Sequence, residues 1–392
     1  MEYNKFGDEG KKISELGMGC YALSGVYGEV DKRKFQATLD HAESLGINYF
    51  DTAETYGEEA ERILGEVIKP YRDDIILSTK IGASPENEKP PLSRENVKAS
   101  CERSLERLQT DNIDIYFVHF DDPKTEVSET VEALDELKEE GKIRHYGVSH
   151  LPVKRIEEYL KEGDVSFCMM ELSAAARESR KKLLPLCREH GAEAIAFSVT
   201  GRGILTGRFD GSETFEKNDL RNMDPLFKKE RFRSSLRVTE KLEEIGEKYE
   251  KTPVQVAINW VLSQEGVISA LTGTSSKDHL EENAGGTGCR LEKSDLDELE
   301  SFLEKEDEVL ERRENEIIEE VLNTEPSNGL EEAFNDLVYV MEVSGSRGIV
   351  DESEIEPIFR KLFSLRKKGE LDRAKIKETH ERLKEVIDPN SI

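Results

Sequence analysis

Three short apolar segments of the chain each lead into a side chain that can take part in acid–base chemistry. Asp51 follows INYF, Lys80 closes DDIILST, and His119 follows IDIYFV. A further candidate, Tyr56, lies shortly after Asp51 in the run DTAETYG. Together a carboxylate, an ammonium, an imidazole and a phenol can supply a proton to an oxygen atom that gains negative charge during a reaction. The fold must therefore bring the ends of these segments together.

The segments that carry these residues are rich in isoleucine, tyrosine and phenylalanine, which is typical of buried β-strands. With ELGMGC, KIRHYGVS, VSFCMMELS, AEAIAFSV and GVISALTGT, the number of predicted strands is eight. Helical periodicity separates the strands, as in TEVSETVEALDELKEEGKI, where Val127, Val131 and Leu134 share one face. Eight βα units in roughly 300 residues predict an α/β fold, the (β/α)8 TIM barrel, whose functional residues lie at the carboxyl ends of the strands.

The order and spacing of seven motifs resemble those of the aldo-keto reductase family. The motifs are GMGCYALSG, DTAETYG, STK, IDIYFVHFDDP, GKIRHYGVS, GRGILTGR and LTGTSSKDHLEEN, and they span about residues 1–306. The resemblance implies an NAD(P)H-dependent oxidoreductase that reduces an aldehyde or ketone to an alcohol by hydride transfer. It also implies a catalytic tetrad of Asp51, Tyr56, Lys80 and His119, with Tyr56 as the general acid.

The chemistry of these residue types agrees with those roles. A carbonyl that receives hydride becomes an alkoxide, so a proton donor beside the oxygen assists the reaction. A free phenol has a pKa of about 10, and a lysine paired with a carboxylate favours its ionised form. His119 can bind the substrate oxygen or pass a proton to Tyr56. Taken singly, each residue is more often a helix cap, a packing aromatic, a solvated lysine or a core histidine, whereas their joint occurrence in the family's order favours catalysis.

Residues after later strands are candidates for holding the nicotinamide. The family commonly has Ser-Asn after its fifth strand and Gln after its sixth, whereas this chain has Ser149-His150 and Glu171. An imidazole can donate or accept a hydrogen bond and a carboxylate can accept one, so both replacements can still bind a carboxamide. Phe197 stands where the family often stacks an aromatic residue on the nicotinamide, with Ser198 as its polar neighbour. A core aromatic is the alternative for Phe197.

Two segments resemble the family's sites for the pyrophosphate and the adenosine. Glycines in GRGILTGR permit close approach of the backbone to a phosphate, and GTSSKDHLEEN begins a helix whose free N–H groups favour one. The candidates are Gly203, Leu205, Gly207, Arg208, Gly273, Thr274, Ser275, Lys277, His279, Glu282 and Asn283. The arginine that many relatives place on the ribose 2′-phosphate is absent, with His279 at one matching position, and Lys277 can substitute for it. NADP(H) is therefore favoured slightly over NAD(H).

Loops between the strands predict the surroundings of the cofactor and the substrate. The polar, glycine-rich segment 199–235 predicts a loop that folds over the cofactor, with Arg221 and Arg233 as anion contacts. An ordinary solvated loop is the alternative. The residues after the first strand predict a partly apolar, aromatic substrate pocket: Tyr21, Leu23, Val26 and Tyr27.

Beyond about residue 306 the resemblance ends. The chain is predicted to consist of a barrel over 1–306, a charged helical linker over 307–328 and a small helical module over 329–392. Asp351 and Asp372 lie in a short repeat and are predicted N-caps of two helices of the module. Its predicted core is Phe334, Leu337, Ile358, Phe359, Leu362 and Phe363. The module has no catalytic signature and is a candidate for self-association or for binding a protein partner.

Composition restricts the remaining function classes. A formal charge of −28 and a pI near 4.8 argue against binding to nucleic acid or to an anionic membrane. No apolar run approaches the roughly 18 residues of a transmembrane helix and the amino-terminal segment lacks a signal-peptide core, so a cytoplasmic location is predicted. The five cysteines are scattered and none lies in the extension, which predicts neither an iron–sulfur cluster nor a metal site.

These observations favour a carbonyl reductase of small-molecule substrates. The alternative is a cofactor-binding regulatory or interaction protein with little or no turnover. His150 and Glu171 favour that alternative slightly, whereas the intact tetrad opposes it.

Overall fold

A computed structural model describes residues 1–7, 10–25, 31–82, 90–215, 219–327 and 329–387. The chain forms two compact units. The first consists of Met1–Asp210 and Thr239–Leu296, and the second of Gly211–Val238 and Asp297–Ile392. The domain boundaries predicted at residues 306 and 328 stay a prediction.

The first unit begins with a hairpin that the sequence analysis did not predict. Its strands β1 (Tyr3–Phe6) and β2 (Lys11–Ser14) pair antiparallel. The side chain of Asn4 donates to the carbonyl of Ile268, near the start of a barrel strand, at 2.7 Å. Phe6 is buried and stacks on Phe167 of the barrel interior, with 5.2 Å between the ring centroids. The hairpin therefore covers the amino end of the barrel, opposite the end where functional residues are expected.

Eight parallel strands form the closed barrel that was predicted, and β10 closes it against β3. The strands are β3 (Leu16–Gly19), β4 (Tyr49–Asp51), β5 (Ile76–Lys80), β6 (Ile113–Val118), β7 (Ile143–Ser149), β8 (Val165–Glu171), β9 (Glu193–Phe197) and β10 (Val267–Thr272). Most of their residues are buried because the barrel interior lies on one face and the helices lie on the other.

Ten α-helices lie within the described residues up to Asn323. They are α1 (Lys32–Ser44), α2 (Glu58–Ile68), α3 (Arg94–Leu108), α4 (Val127–Glu139), α5 (Val153–Glu162), α6 (Glu178–His190), α7 (Lys229–Glu247), α8 (Pro253–Leu262), α9 (Lys277–Ala284) and α10 (Lys293–Asn323). The apolar positions of α4 that share one face in the sequence are buried. No described helix has the length and apolar character needed to cross a membrane.

The second unit contains the predicted all-α extension, with α11 (Leu330–Arg347), α12 (Glu352–Lys367) and α13 (Arg373–Val386). Asp351 and Asp372 cap α12 and α13, where their side chains accept hydrogen bonds from backbone N–H groups of the first turn. The predicted core residues Phe334, Leu337 and Leu362 are buried, and the other three pack against the same cluster. The predicted core of the extension is confirmed.

The segment Gly211–Val238 belongs to the second unit and pairs with its helices. Arg231 Nε lies 2.6 Å from Glu314 Oε1, and both side chains are almost fully buried. Arg237 Nη2 lies 2.8 Å from Glu306 Oε2. These pairs tie the segment to helix α10, which contains Glu306 and Glu314 (Lys293–Asn323).

The two arginines predicted as anion contacts have carboxylate neighbours within this same segment. Arg221 Nη2 lies 2.6 Å from Asp219 Oδ2. Arg233 Nη1 lies 3.6 Å from Glu230 Oε2.

Candidate active site

The barrel brings the predicted tetrad to the carboxyl ends of three adjacent strands. Asp51 ends β4, Lys80 ends β5, and His119 directly follows β6. In the parallel register Asp51 lies opposite Ser78, and Lys80 lies opposite Phe117. These residues, which are far apart in the sequence, therefore lie close together in the structure.

A buried ion pair lies at the centre of this cluster. Lys80 Nζ donates to both carboxylate oxygens of Asp51, at 2.8 and 2.7 Å, and to the Thr52 carbonyl at 2.7 Å. Lys80 is 1% exposed and Asp51 is 2% exposed. Burial lowers the pKa of Lys80, but the charge of Asp51 and the contacts with Asp51 and Tyr56 outweigh burial, so this pKa lies above its usual value. Lys80 is therefore an ammonium ion at neutral pH.

Two further residues that the sequence analysis did not assign support the carboxylate. Ser78 Oγ donates to Asp51 Oδ1 at 2.7 Å, and Tyr49 OH lies 3.0 Å from Ser78 Oγ. Ser78 and Lys80 are alternate residues of β5, so both side chains lie on the barrel interior. That alternation within the STK motif is a sequence signal for Ser78.

Tyr56 lies in a short 3-10 turn, Glu54–Tyr56, beyond the end of β4. Its hydroxyl accepts a hydrogen bond from Lys80 Nζ at 3.2 Å. Burial raises the pKa of Tyr56 to about 12, and Asp51 adds to this effect while Lys80 opposes it. Lys80 thus lowers the pKa of Tyr56, as predicted, but burial raises this pKa by more. The phenol is protonated at neutral pH, as a proton donor must be.

His119 is buried beside Tyr56. The ring centroids of the two residues are 5.8 Å apart, and His119 Nδ1 lies 3.1 Å from Thr55 Oγ1. Burial, with contributions from Lys80 and His150, holds the pKa of His119 well below its usual value of 6.5. The imidazole is therefore neutral and can both donate and accept a hydrogen bond.

These protonation states predict a level pH profile for carbonyl reduction. Tyr56 has a pKa of about 12 and His119 is already neutral, so neither group changes its charge near neutral pH. We expect kcat/KM for the carbonyl to stay level from about pH 6.5 to about pH 10 when it is measured with saturating cofactor. An inflection near pH 6.5 that disappears in His119→Asn would contradict this expectation.

The same pKa shift predicts a loss of stability in acid. The unfolded chain protonates His119 near pH 6.5, whereas the folded chain does so only at lower pH. The free energy of unfolding should therefore fall as the pH drops below about 6.5.

Aromatic side chains flank Tyr56. The ring of Tyr21 lies 4.9 Å from that of Tyr56, and Phe120 stacks on His119 at 4.0 Å. Phe120 is 50% exposed and Tyr21 is 36% exposed. Tyr21 was among the residues predicted to form an aromatic substrate pocket, whereas Phe120 was not. Two other residues of that prediction, Val26 and Tyr27, lie outside the described residues.

The residues predicted to hold the nicotinamide lie at the ends of β7 and β9. Ser149 is fully buried, and its Oγ has no hydrogen-bond partner among the described residues. The ring of His150 lies 4.8 Å from that of Phe197. His150 and Ser198 have φ values of 51° and 54°, which side chains other than glycine adopt at a cost. The unpaired hydroxyl of Ser149 fits a ligand that offers an amide group.

Glu171, the sixth-strand candidate for a carboxamide contact, is engaged by another side chain. Arg202 approaches its carboxylate with two nitrogens, at 2.5 and 3.2 Å. Arg202 itself has a φ of 55° in the turn Gly201–Thr206. This arginine was not among the site residues predicted from the sequence. The pair joins the end of β8 to the glycine-rich turn.

The two candidate phosphate segments have the backbone geometry that their glycines suggest. Gly203 and Gly207 have φ values of 95° and 74°, whereas Leu205 between them is buried. Helix α9 begins at Lys277, and its N-cap residue Ser276 makes no side-chain capping bond. N–H groups of the first helical turn can therefore bind an anion.

Side chains of the two segments meet at the face of α9. Arg208 Nη2 lies 3.0 Å from Glu282 Oε2, and Arg208 also contacts His279. Lys277 is exposed at the start of the helix. Asn283 is buried in the same helix. Gly273, Thr274 and Ser275 lie between the end of β10 and α9.

The described residues contain no group of three or more His, Cys, Asp or Glu side chains arranged to hold a metal ion.

The fold and the cluster at the strand ends define a barrel enzyme of the oxidoreductase class. The aldo/keto reductase family model matches residues 15–304, and the chain belongs to this family. Members of the family reduce carbonyl compounds with nicotinamide cofactors. This agrees with the resemblance noted in the sequence.

Individual relatives are similar over most of the chain. It is 33% identical to the aldo-keto reductase YhdN of Bacillus subtilis (strain 168) over 311 residues, or 78% of this chain and 94% of that protein. The glycerol dehydrogenase AKR11B4 from Gluconobacter oxydans has a similar structure, with a TM-score of 0.70, 27% identity and coverage of 78% of this chain and 95% of that one. An aldo/keto reductase from Klebsiella pneumoniae, solved with NADP and acetate, has a TM-score of 0.59, 25% identity and coverage of 75% and 93%.

Proposed function

We propose that the protein reduces an aldehyde or ketone to an alcohol, with NADPH as the hydride donor and Tyr56 as the general acid. The observation that carries this proposal is the position of Lys80. Its ammonium group contacts the Tyr56 hydroxyl at 3.2 Å and both oxygens of Asp51. A protonated phenol beside a fixed cation can donate its proton while the lysine stabilises the phenolate that remains.

The other residues of the cluster orient this donor and the substrate. The nicotinamide, when bound, supplies the hydride. Neutral His119 can donate a hydrogen bond from Nε2 to the carbonyl oxygen, while its Nδ1 lies 3.1 Å from Thr55 Oγ1. Asp51 keeps the ammonium of Lys80 in place, and Ser78 keeps Asp51 in place.

The chain offers separate contacts for the two ends of the cofactor. Ser149, with its buried and unpaired hydroxyl, is a candidate contact for the carboxamide, and Phe197 is a candidate for the ring face. The turn with Gly203 and Gly207 and the start of α9 are candidates for the phosphates. We assign Glu171 a different role from the one predicted, because Arg202 already occupies its carboxylate: it anchors the glycine-rich turn.

The proposal is tested by titrating the purified protein with NADPH and with NADH, followed by assays with a panel of simple aldehydes and ketones. Binding is read from the fluorescence of the reduced nicotinamide, and turnover from carbonyl-dependent oxidation of NADPH. Binding together with turnover supports the proposal. Binding without turnover of any carbonyl would instead favour a regulatory or interaction protein that uses the cofactor as a ligand.

Cofactor preference is predicted to depend on Lys277. It is exposed at the first position of α9, and NADP is bound in the related Klebsiella pneumoniae enzyme. We expect Lys277→Met to raise the Kd of NADPH about tenfold and to leave the Kd of NADH unchanged, because only NADPH carries the 2′-phosphate. Lys161→Met, an exposed lysine of α5, is the control. Equal weakening of both cofactors by Lys277→Met would exclude this role.

A further inference from the structure

Glu54 lies in the same short turn as Tyr56, yet its side chain extends away from the proposed proton donor. Both of its oxygens are engaged by helix α3. Oε1 accepts from Arg103 Nε at 2.6 Å and from Arg107 Nη1 at 2.9 Å. Oε2 accepts from Ser100 Oγ at 2.6 Å and from Arg103 Nη2 at 3.1 Å. The carboxylate thus fixes the turn to α3 through four hydrogen bonds.

These contacts are largely shielded from water. The side chain of Glu54 is 10% exposed and that of Arg107 is 11% exposed. The contacts to Arg103 and Ser100 outweigh the effect of burial and lower the pKa of Glu54 below its usual value, so the carboxylate is ionised at neutral pH. Charge-assisted hydrogen bonds in such surroundings are strong and directional. They hold the turn more firmly than exposed ion pairs do.

The same network reaches the strand that carries Lys80. Arg107 Nη1 also donates to Glu61 Oε2 at 3.2 Å, and Glu61 Oε1 accepts from Thr79 Oγ1 at 2.8 Å. Because side chains alternate along β5, Thr79 contacts the helix layer while its neighbour Lys80 contacts the barrel interior. One continuous network of hydrogen bonds therefore joins the turn that contains Tyr56 to strand β5, which contains Lys80.

The space around Glu54 is closely filled. Gly82 donates its backbone N–H to Ser100 Oγ at 3.0 Å, and a Cβ at position 82 would overlap the Glu54 carboxylate. Glycine at position 82 therefore leaves the space that the Glu54 carboxylate occupies. A turn of three residues transmits this restraint directly from Glu54 to Tyr56.

We propose that Glu54 is a positioning residue, which holds the Tyr56 hydroxyl within hydrogen-bonding distance of Lys80 through Arg103 and Arg107. The inference rests on the proposed role of Tyr56 as the acid. Glu54 does not contact the reacting atoms. Its effect on turnover arises because proton donation depends steeply on the position of the donor.

The test compares Glu54→Gln with Glu58→Gln. Glu58 is a matched control because it lies in the next turn of chain, also pairs with Arg107, at 3.6 Å, and is 69% exposed. For Glu54→Gln we expect kcat to fall about tenfold or more, the Kd of NADPH to stay within about twofold, and the solvent isotope effect on kcat to rise. For Glu58→Gln we expect kcat to stay within about twofold of the unmodified protein.

A purely structural role for Glu54 would give a different pattern. Stability would fall while kcat and the solvent isotope effect stayed unchanged, and this result would overturn the proposal. If Glu54→Gln does not fold, Arg103→Lys keeps the positive charge but loses the two-nitrogen contact. It should then show the same pattern with a smaller loss of kcat, and unchanged kcat in that variant would also overturn the proposal.

A crystal structure of Glu54→Gln separates this inference from the proposed reaction. We expect the distance from Tyr56 OH to Lys80 Nζ to exceed about 3.5 Å, beyond a hydrogen bond. That distance tests positioning even if the protein reduces no carbonyl in the panel. An unchanged distance would overturn the positioning role, whereas turnover that survives Tyr56→Phe would overturn the proposed reaction.

Discussion

Replacing Tyr56 with phenylalanine is expected to lower kcat for carbonyl reduction by a factor of about 10² to 10⁴. The substitution removes the hydroxyl that contacts Lys80 at 3.2 Å and leaves the ring in place. The phenyl ring keeps the contact with Tyr21, so the surroundings of the substrate should change little. Steady-state kinetics with saturating NADPH measure kcat, and a fluorescence titration should give a Kd for NADPH within about twofold of the original.

Tyr21→Phe is the matched control for this substitution. It removes a hydroxyl from a neighbouring aromatic ring, whose centroid lies 4.9 Å from that of Tyr56, and leaves the Tyr56 hydroxyl and its contact with Lys80 in place. We expect its kcat to change by less than about threefold. Equal losses of kcat in the two variants would show that Tyr56 is not the specific proton donor.

Asp51→Asn is expected to cost both stability and activity. The substitution leaves the Lys80 ammonium buried at 1% exposure without a carboxylate, and breaking a buried pair in this way typically costs about 3–5 kcal/mol. The loss can be measured as the free energy of unfolding in urea, followed by the fluorescence of Trp260. That residue is the only tryptophan of the chain and lies in α8 of the first unit, so it reports on the barrel.

The accompanying loss of activity has a separate cause. Without Asp51, the pKa of Lys80 should fall, and a neutral amine cannot stabilise the phenolate of Tyr56. Glu157→Gln, which removes the partner of exposed Lys161 on α5, should leave both stability and kcat nearly unchanged. A destabilisation by Asp51→Asn no larger than that of Glu157→Gln would show that the buried pair contributes little.

The barrel and the location of the tetrad were predictable because parallel strands place their carboxyl ends on one rim. Asp51, Lys80 and His119 each end or follow an apolar segment, and strand periodicity alone brings them together. Their catalytic roles stay a prediction. Ser78 was accessible to the same argument, because it alternates with Lys80 on β5.

Other features depend on contacts that sequence periodicity does not encode. Arg202, which contacts Glu171, lies in a turn where its own backbone is left-handed, and the sequence pattern does not predict either feature. The amino-terminal hairpin was missed because its strands are short and mostly polar, with Phe6 and Ile13 as its buried apolar anchors. The high pKa of Tyr56 likewise depends on how deeply the turn is buried.

The second unit combines two segments that are far apart in the sequence, so its segments are synthesised at different times. Arg231 and Glu314 pair across 83 residues of sequence. At a translation rate of about 5–20 residues per second, the segment that contains Arg231 emerges roughly 4 to 17 seconds before its partner. During that interval Met223, which later packs on the core of the extension, has no core to join. This segment therefore emerges from the ribosome before its partners are made, and the second unit can be completed only after the extension has been synthesised.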